Sequence, residues 1–139
     1  MKMREILFRG KRTDCDAWVE GDLLQIKYYN KPIIECKIMP QTPVSSAVPV
    51  LPETVGQYTG LTDKNGRKIF EGDIVNVIYT SSLGEEFTQI TTVRYDETEC
   101  CFYPMRWEEY CANCDYSTEI TEIVVISNIH DNPELLTLV

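Results

Sequence analysis

The chain has 139 residues, 43% of them hydrophobic, and a formal charge of −9. This length allows one compact domain or two small lobes, with a core that needs no disulfide or metal support. The charge is uneven, because residues 1–75 carry 11 Lys and Arg against 10 Asp and Glu, whereas residues 76–139 carry 2 against 12. Nucleic-acid affinity rests on cations that neutralise phosphates, so the second half is a poor nucleic-acid surface.

The N-terminal sequence MKMREILFR lacks the apolar run of a secretory signal, and no stretch of the chain reaches membrane-spanning length. We therefore expect a cytoplasmic protein. In that compartment the six cysteines are expected to be free thiols rather than a disulfide framework.

The first part of the chain, residues 1–39, is predicted to be a β meander. Its predicted strands are rich in aliphatic and aromatic residues and cover residues 5–9, 23–28 and 33–39. Residues 40–53 contain four prolines, which lack the amide donor that a sheet requires. We expect a connector or surface loop there.

Residues 54–139 are predicted to form a second β lobe, which we expect to be a small SH3-like barrel with a C-terminal helical turn. Its predicted strands cover residues 54–58, 74–79, 87–95, 99–103 and 120–128. Asp63-Lys64-Asn65-Gly66 is a tight-turn signal, because Asn and Gly tolerate positive φ. The sequence of residues 105–111 is compatible with a helical turn but is too short to decide it. Residues 131–136 favour a helical turn, with Pro133 suited to its first position.

Two Glu-Gly-Asp triplets form a weak internal repeat. Glu20-Gly21-Asp22 and Glu71-Gly72-Asp73 each precede an apolar strand segment. Glycine supplies unusual dihedrals and aspartate accepts backbone hydrogen bonds, so both triplets are predicted to be turns.

Three segments together resemble the YopX family of phage and prophage proteins. They are MREILFRGK at residues 3–11, the block at residues 55–75 with GQYTGL, DKNG and EGDIV, and ISNIHDNPELL at residues 126–136. The resemblance implies a small, mostly β protein that is encoded by phages, prophages or related mobile elements and acts in the bacterial cytoplasm. It carries over no catalytic or ligand-binding residue, because the family's members are uncharacterised.

The cysteine-bearing stretch at residues 100–114 lies outside that resemblance. Cys100, Cys101, Cys111 and Cys114 are a weak alternative for a tetrahedral zinc site. Adjacent cysteines on a strand point to opposite faces, so we expect neither a metal nor another cofactor. His130, the only histidine, has no nucleophile motif beside it and is interpreted as a surface residue near a helix cap.

We expect a non-enzymatic interaction module that binds a host or phage protein, with self-association left open. Aromatic side chains are candidate anchors, namely Tyr28, Tyr29, Tyr103, Trp107 and Tyr110. The candidate binding residues, for which fold maintenance is the competing interpretation, are Arg4, Phe8, Arg9, Gln57, Tyr58, Asp63 and Asp73.

A nucleic-acid-binding protein is the main alternative. It requires two basic clusters to share one face, namely Arg4, Arg9, Lys11 and Arg12 with Lys64, Arg67 and Lys68. An acidic DNA mimic, which requires carboxylates at phosphate-like spacing, and a nuclease-like toxin rank below it. The toxin ranks last because no acid–base pair stands out. The chain is therefore not expected to be an enzyme.

Overall fold

The computed structural model describes residues 3–32, 34–41, 46–105, 109–110 and 117–138. Throughout these ranges the chain is built from antiparallel strands, and its helical residues are confined to two short 3₁₀ segments. The prediction of a mainly β protein is confirmed. The chain divides into two compact units, residues 1–60 and 61–139.

The first unit is organised around one antiparallel sheet. Its strands are β1 (Phe8–Lys11), β2 (Trp18–Lys27), β3 (Ile34–Pro40), β4 (Val48–Val50) and β5 (Gly56–Thr62), with a 3₁₀ segment at Pro52–Thr54. They lie in the order β4-β3-β2-β1-β5, and β5 continues two residues past the division. The consecutive pairing of β1, β2 and β3 is the predicted meander.

The core of this unit lies on one face of the sheet. Cys36 and Ile38 alternate along β3, and Cys36 lies opposite Val50 of β4. Strand β4 comes from the proline-rich segment that we expected to be a connector. Its central residue is Pro49, whose carbonyl accepts the N–H of Thr13 at 3.2 Å on the side away from β3.

The two Glu-Gly-Asp triplets have different structures. Gly21 lies inside β2, where a Cβ atom would stand 1.9 Å from the carbonyl oxygen of Met39 on β3. Gly72 has φ +87° in a turn before the next apolar strand. The turn prediction is therefore wrong for the first triplet, whose glycine permits close strand approach instead.

The second unit contains an antiparallel four-stranded sheet. The strands of this unit are β6 (Lys68–Phe70), β7 (Asp73–Ser81), β8 (Glu86–Thr92), β9 (Arg94–Asp96), β10 (Cys101–Tyr103), β11 (Glu109–Tyr110) and β12 (Ser117–Asn128). The sheet has the order β11-β12-β7-β8, β9 and β10 pair with each other, and β6 is hydrogen-bonded beside β5. The predicted C-terminal helical turn is present as a 3₁₀ segment at Pro133–Leu138.

The predicted SH3-like barrel is not confirmed. Closure would require the outer strand β8 to pair with a further strand, and no sheet formed by the described residues closes on itself. The helical turn left open at residues 105–111 lies largely outside the described residues, although Glu109–Tyr110 is the short strand β11. Within the described ranges, no helix has both the length and the apolar character needed to cross a membrane.

The core of the second unit is built on β7 and β12. Val75, Val77 and Tyr79 share one face of β7, as the period-two pattern predicts. Ile69 of β6 and Val125 of β12 pack into the same buried cluster. Ile69 and three partly buried residues packed against the cluster, Met105, Ile120 and Ile123, also line a cavity.

Candidate functional site

An apolar cavity of about 460 Å³ opens in the second unit. Its lining is contributed by the β5–β6 hairpin, by strand β12 and by a residue that follows β10: Leu61, Thr62, Asp63, Lys64, Ile69, Met105, Ile120, Thr121, Glu122 and Ile123. Three isoleucines, a leucine and a methionine make most of this surface hydrocarbon. The other five lining residues are polar or charged. The size of the cavity and its mainly apolar surface are typical of a binding pocket.

A β-bulge in β12 places two isoleucines in the cavity lining. Ile120 lies opposite Tyr79 and Ile123 lies opposite Val77, with a register shift between Ile120 and Glu122. Strict alternation would put Ile120 and Ile123 on opposite faces. The extra residue in the bulge brings both to the core side, which the sequence pattern alone did not indicate.

Asp63 holds the hairpin turn that forms one wall. Its Oδ1 accepts the N–H groups of Asn65 and Arg67, each at 2.9 Å, and its Oδ2 accepts the N–H of Val125, also at 2.9 Å. Burial alone would raise the pKa of Asp63, but the three backbone N–H donors outweigh it and lower the pKa below its ordinary value of 3.8. The carboxylate therefore joins the turn to β12.

Charged groups stand at the cavity mouth. The backbone N–H of Lys64 donates to the carbonyl of Ile123 at 3.0 Å, and the ammonium group of Lys64 pairs with the carboxylate of Glu122. Hydrogen bonding to Glu122 and its negative charge raise the pKa of Lys64. The Lys64 side chain remains 64% exposed, so water reaches this ion pair, whereas the isoleucine side of the lining is apolar.

This arrangement is suited to binding an apolar group. Both carboxylates of the lining are already engaged, since Asp63 accepts backbone donors and Glu122 pairs with Lys64. The chemistry that the cavity offers a ligand is hydrocarbon contact below and a polar rim above.

Of the predicted binding residues, Asp63 lies in the cavity lining. Asp73, 1% exposed, accepts the N–H of Phe70 at 2.8 Å and holds the turn that contains Gly72. Both aspartates have roles in backbone turns, the competing interpretation stated above.

The other predicted residues belong to the first unit. Phe8 of β1 lies directly opposite Gln57 of β5 and packs against the core of that unit. Tyr58 is 7% exposed, and its N–H donates to the carbonyl of Leu7 at 2.8 Å. Arg4 is exposed.

Several of the predicted basic residues are engaged within the protein. Arg9 is 8% exposed, with its guanidinium carbon 4.7 Å from the ring centre of Trp18. Arg12 donates from Nε and Nη2 to the two carboxylate oxygens of Asp14, at 2.8 and 2.9 Å. Two side-chain hydrogen bonds, the more important from Arg12 and the other from Cys15, lower the pKa of Asp14 to about 2. These contacts compete with phosphate binding.

The cysteine alternative is described only in part. Cys100 is exposed and Cys101 is half-buried, and both are free thiols. Cys111 and Cys114 lie outside the described residues. No group of three or more potential metal ligands occurs within the described ranges.

Comparison with known proteins identifies the family. The sequence model described as YopX protein matches residues 7–137, nearly the whole chain. The chain belongs to the YopX family. Its fold is similar to that of protein EF1440 from Enterococcus faecalis, known from a crystal structure, with 24% identity and a TM-score of 0.51. That similarity covers 96% of this chain and 99% of EF1440. Among curated proteins, none matches.

The YopX block at residues 55–75 contains β5, the Asp63 turn, β6, the Asp73 turn and the start of β7. It therefore supplies one wall of the cavity and the two aspartates that hold the adjoining turns. Leu61 and Ile69 of this block, and the isoleucines of β12, were missed as site residues. Only the β12 bulge and the turn contacts bring them together.

Proposed function

We propose that this YopX-family protein is a non-enzymatic interaction module, encoded by a phage or prophage, which binds a host or phage protein in the bacterial cytoplasm. The observation that carries the proposal is the apolar cavity with its charged mouth. A phage or prophage origin and a cytoplasmic location come from the resemblance, and the cavity supplies the binding site.

The occupant that this cavity fits is a large apolar side chain presented by the partner. Ile69, Ile120 and Ile123 offer hydrocarbon contact on several sides, and the cavity volume of about 460 Å³ exceeds that of any single side chain. Protein interfaces commonly combine a buried apolar anchor with a hydrated polar rim. Lys64 and Glu122 supply that rim, because their ion pair lies at the mouth.

Charge also favours a protein partner over nucleic acid. Arg9 stacks on Trp18, Arg12 pairs with Asp14, and residues 76–139 carry 12 acidic against 2 basic residues. A phosphate contact by Arg9 or Arg12 would need that cation to be released from its internal interaction. A partner with a basic rim around its apolar anchor meets no such cost.

The test is an affinity capture from host lysate with tagged wild type and two matched variants, each run with and without nuclease. Leu61→Glu places a charge in the cavity lining at a position that is already 41% exposed. Leu83→Glu makes the same change at a 71% exposed residue in the β7–β8 turn, outside the cavity lining. Circular dichroism establishes that both variants are folded.

We expect wild type to capture a discrete protein whether or not nuclease is added. Leu83→Glu should still capture this protein, and Leu61→Glu should not. Titration of the identified partner should then show an affinity loss of about tenfold or more for Leu61→Glu, as for an interface anchor. Equal capture by both variants would refute the cavity as the site. Partners that disappear on nuclease treatment would instead support the nucleic-acid alternative.

A further inference from the structure

Strand β8 is an outer strand of the four-stranded sheet, and residues of the C-terminal 3₁₀ segment approach it. It pairs with β7 on its inner side, from Glu86 opposite Thr80 to Thr92 opposite Ile74. No strand in the described part of the chain is hydrogen-bonded to its outer side. The edge is seven residues long, above the usual length of a strand that natural proteins leave unprotected.

The outward backbone groups can be assigned by alternation. The N–H of Ser81 donates to the carbonyl of Glu85, and the N–H of Val93 donates to the carbonyl of Asp73. Odd-numbered residues of this segment therefore bond to β7, and the N–H and C=O groups of even-numbered residues point outward. Those residues are Glu86, Thr88, Ile90 and Thr92.

The sequence of β8 carries few of the features that protect an edge. It contains no proline, lysine or arginine, and Glu86 at its first position is its one charged residue. Strand β4, which ends the strand order in the first unit, is only three residues long, and Pro49 and Leu51 are hydrogen-bonded on its far side to Thr13 and Lys11. The edge at β4 is thus protected, whereas the backbone of β8 is left competent to pair.

We propose that β8 pairs with β8 of a second copy of this chain, antiparallel and with the two-fold axis at Gln89. In this register Thr88 exchanges hydrogen bonds with Ile90 of the second copy, and Glu86 with Thr92. Glutamates from the two copies then stand at opposite ends of the interface. Every outward backbone group of the strand then finds a partner.

Side chains also match in this register. Phe87, which is 47% exposed, lies opposite Thr91 of the second copy, an aromatic and β-branched pair that is favourable across strands. Gln89 lies opposite its own copy. Its Oε1 accepts the hydroxyl of Tyr79 at 3.3 Å, and its amide nitrogen can donate to the amide oxygen of the second copy. The inference is independent of the proposed function, because it uses a different surface and a different partner.

Disulfide trapping tests the register. Residues 89 of the two copies form a non-hydrogen-bonded pair with Cα atoms about 4.5 Å apart, within disulfide range, so Gln89→Cys should cross-link under mild oxidation. Thr88→Cys is the matched control. The residues at position 88 in the two copies are offset along the strands, so their Cα atoms lie more than about 7 Å apart, beyond disulfide range. Peptide mapping separates this cross-link from any formed by the native cysteines. Equal cross-linking at both positions, or none at position 89, would overturn the proposal.

Sedimentation tests the backbone pairing without cysteine chemistry. Thr88→Pro removes an outward N–H, whereas Thr88→Val keeps it and retains a β-branched side chain. We expect wild type and Thr88→Val to dimerise and Thr88→Pro to lower the association constant at least about tenfold. Since both copies are acidic, added salt should strengthen the dimer. A monomeric wild type at about 200 μM in high salt would refute the inference, and if Thr88→Pro fails to fold, the cross-linking result decides.

Discussion

Replacing Asp63 with asparagine should destabilise the second unit strongly, although the two side chains have the same shape. Asparagine can keep one oxygen for the N–H groups of Asn65 and Arg67, which Oδ1 accepts in the native protein. Its amide nitrogen would then face the N–H of Val125, a residue only 6% exposed, so that two donors oppose each other.

The expected loss follows from these contacts. A buried N–H left without an acceptor costs about 1–3 kcal/mol, and the two remaining hydrogen bonds lose the benefit of a charged acceptor, which adds about 1 kcal/mol. Asp63→Asn should therefore lower the free energy of unfolding by about 2–4 kcal/mol. The free energy of unfolding falls by about 2 kcal/mol per molar urea, so the urea concentration at the unfolding midpoint should fall by about 1–2 M.

Urea unfolding followed by circular dichroism measures this loss, with Asp22→Asn as the control because Asp22 is exposed. Amide exchange of Val125 gives a local readout, which Asp63→Asn should accelerate and Asp22→Asn should leave unchanged. Equal midpoints for the two variants would refute the assigned role of Asp63, and so would an unchanged exchange rate at Val125.

The same carboxylate predicts a pH dependence. Because the folded pKa of Asp63 lies below its unfolded value of about 3.9, its contribution is complete above that value and is lost as pH falls through the folded pKa. The stability difference between wild type and Asp63→Asn should be constant from pH 5 upward and shrink below about pH 4. A difference that persists unchanged at about pH 2 would contradict this linkage.

Two further predictions concern glycine packing and thiol burial. Gly21→Ala should cost about 3 kcal/mol or more, because its Cβ would meet the Met39 carbonyl, whereas Gly84→Ala, with φ +84° and open space around it, should cost about 1 kcal/mol. Urea midpoints compare the two, and a smaller loss for Gly21→Ala would show that β2 and β3 separate easily. Cys36 is 6% exposed and burial raises its pKa, so iodoacetamide should modify it at least about tenfold more slowly than exposed Cys15. Peptide mass mapping gives the two rates, and similar values would mean that the first unit opens readily.

Local signals in the sequence predicted the fold class and much of the strand pattern. The alternation of Val75, Val77 and Tyr79 placed a half-buried strand where β7 lies. The turn at residues 63–66 was indicated by Asn and Gly, and Gly66 does adopt φ +80°. These features depend on neighbouring residues, so a sequence without coordinates is sufficient to find them.

The cavity needed information that no local pattern holds. Alternation assigns Ile120 and Ile123 to opposite faces, and only the pairing of β12 with β7 reveals the bulge that brings them to one side. In the same way, the two Glu-Gly-Asp triplets are identical in sequence, but Gly21 became a strand residue because β3 packs against it.

By itself, the sequence determined the family, the mainly β composition and the aspartate turns, since each follows from short-range preferences of the chain. Tertiary structure decided what those turns do. Asp63 was recognisable as a turn residue, but its second oxygen binds the N–H of Val125, 62 residues away. Such a partner is chosen by the packing of β12 against the hairpin, and that long-range choice also creates the cavity.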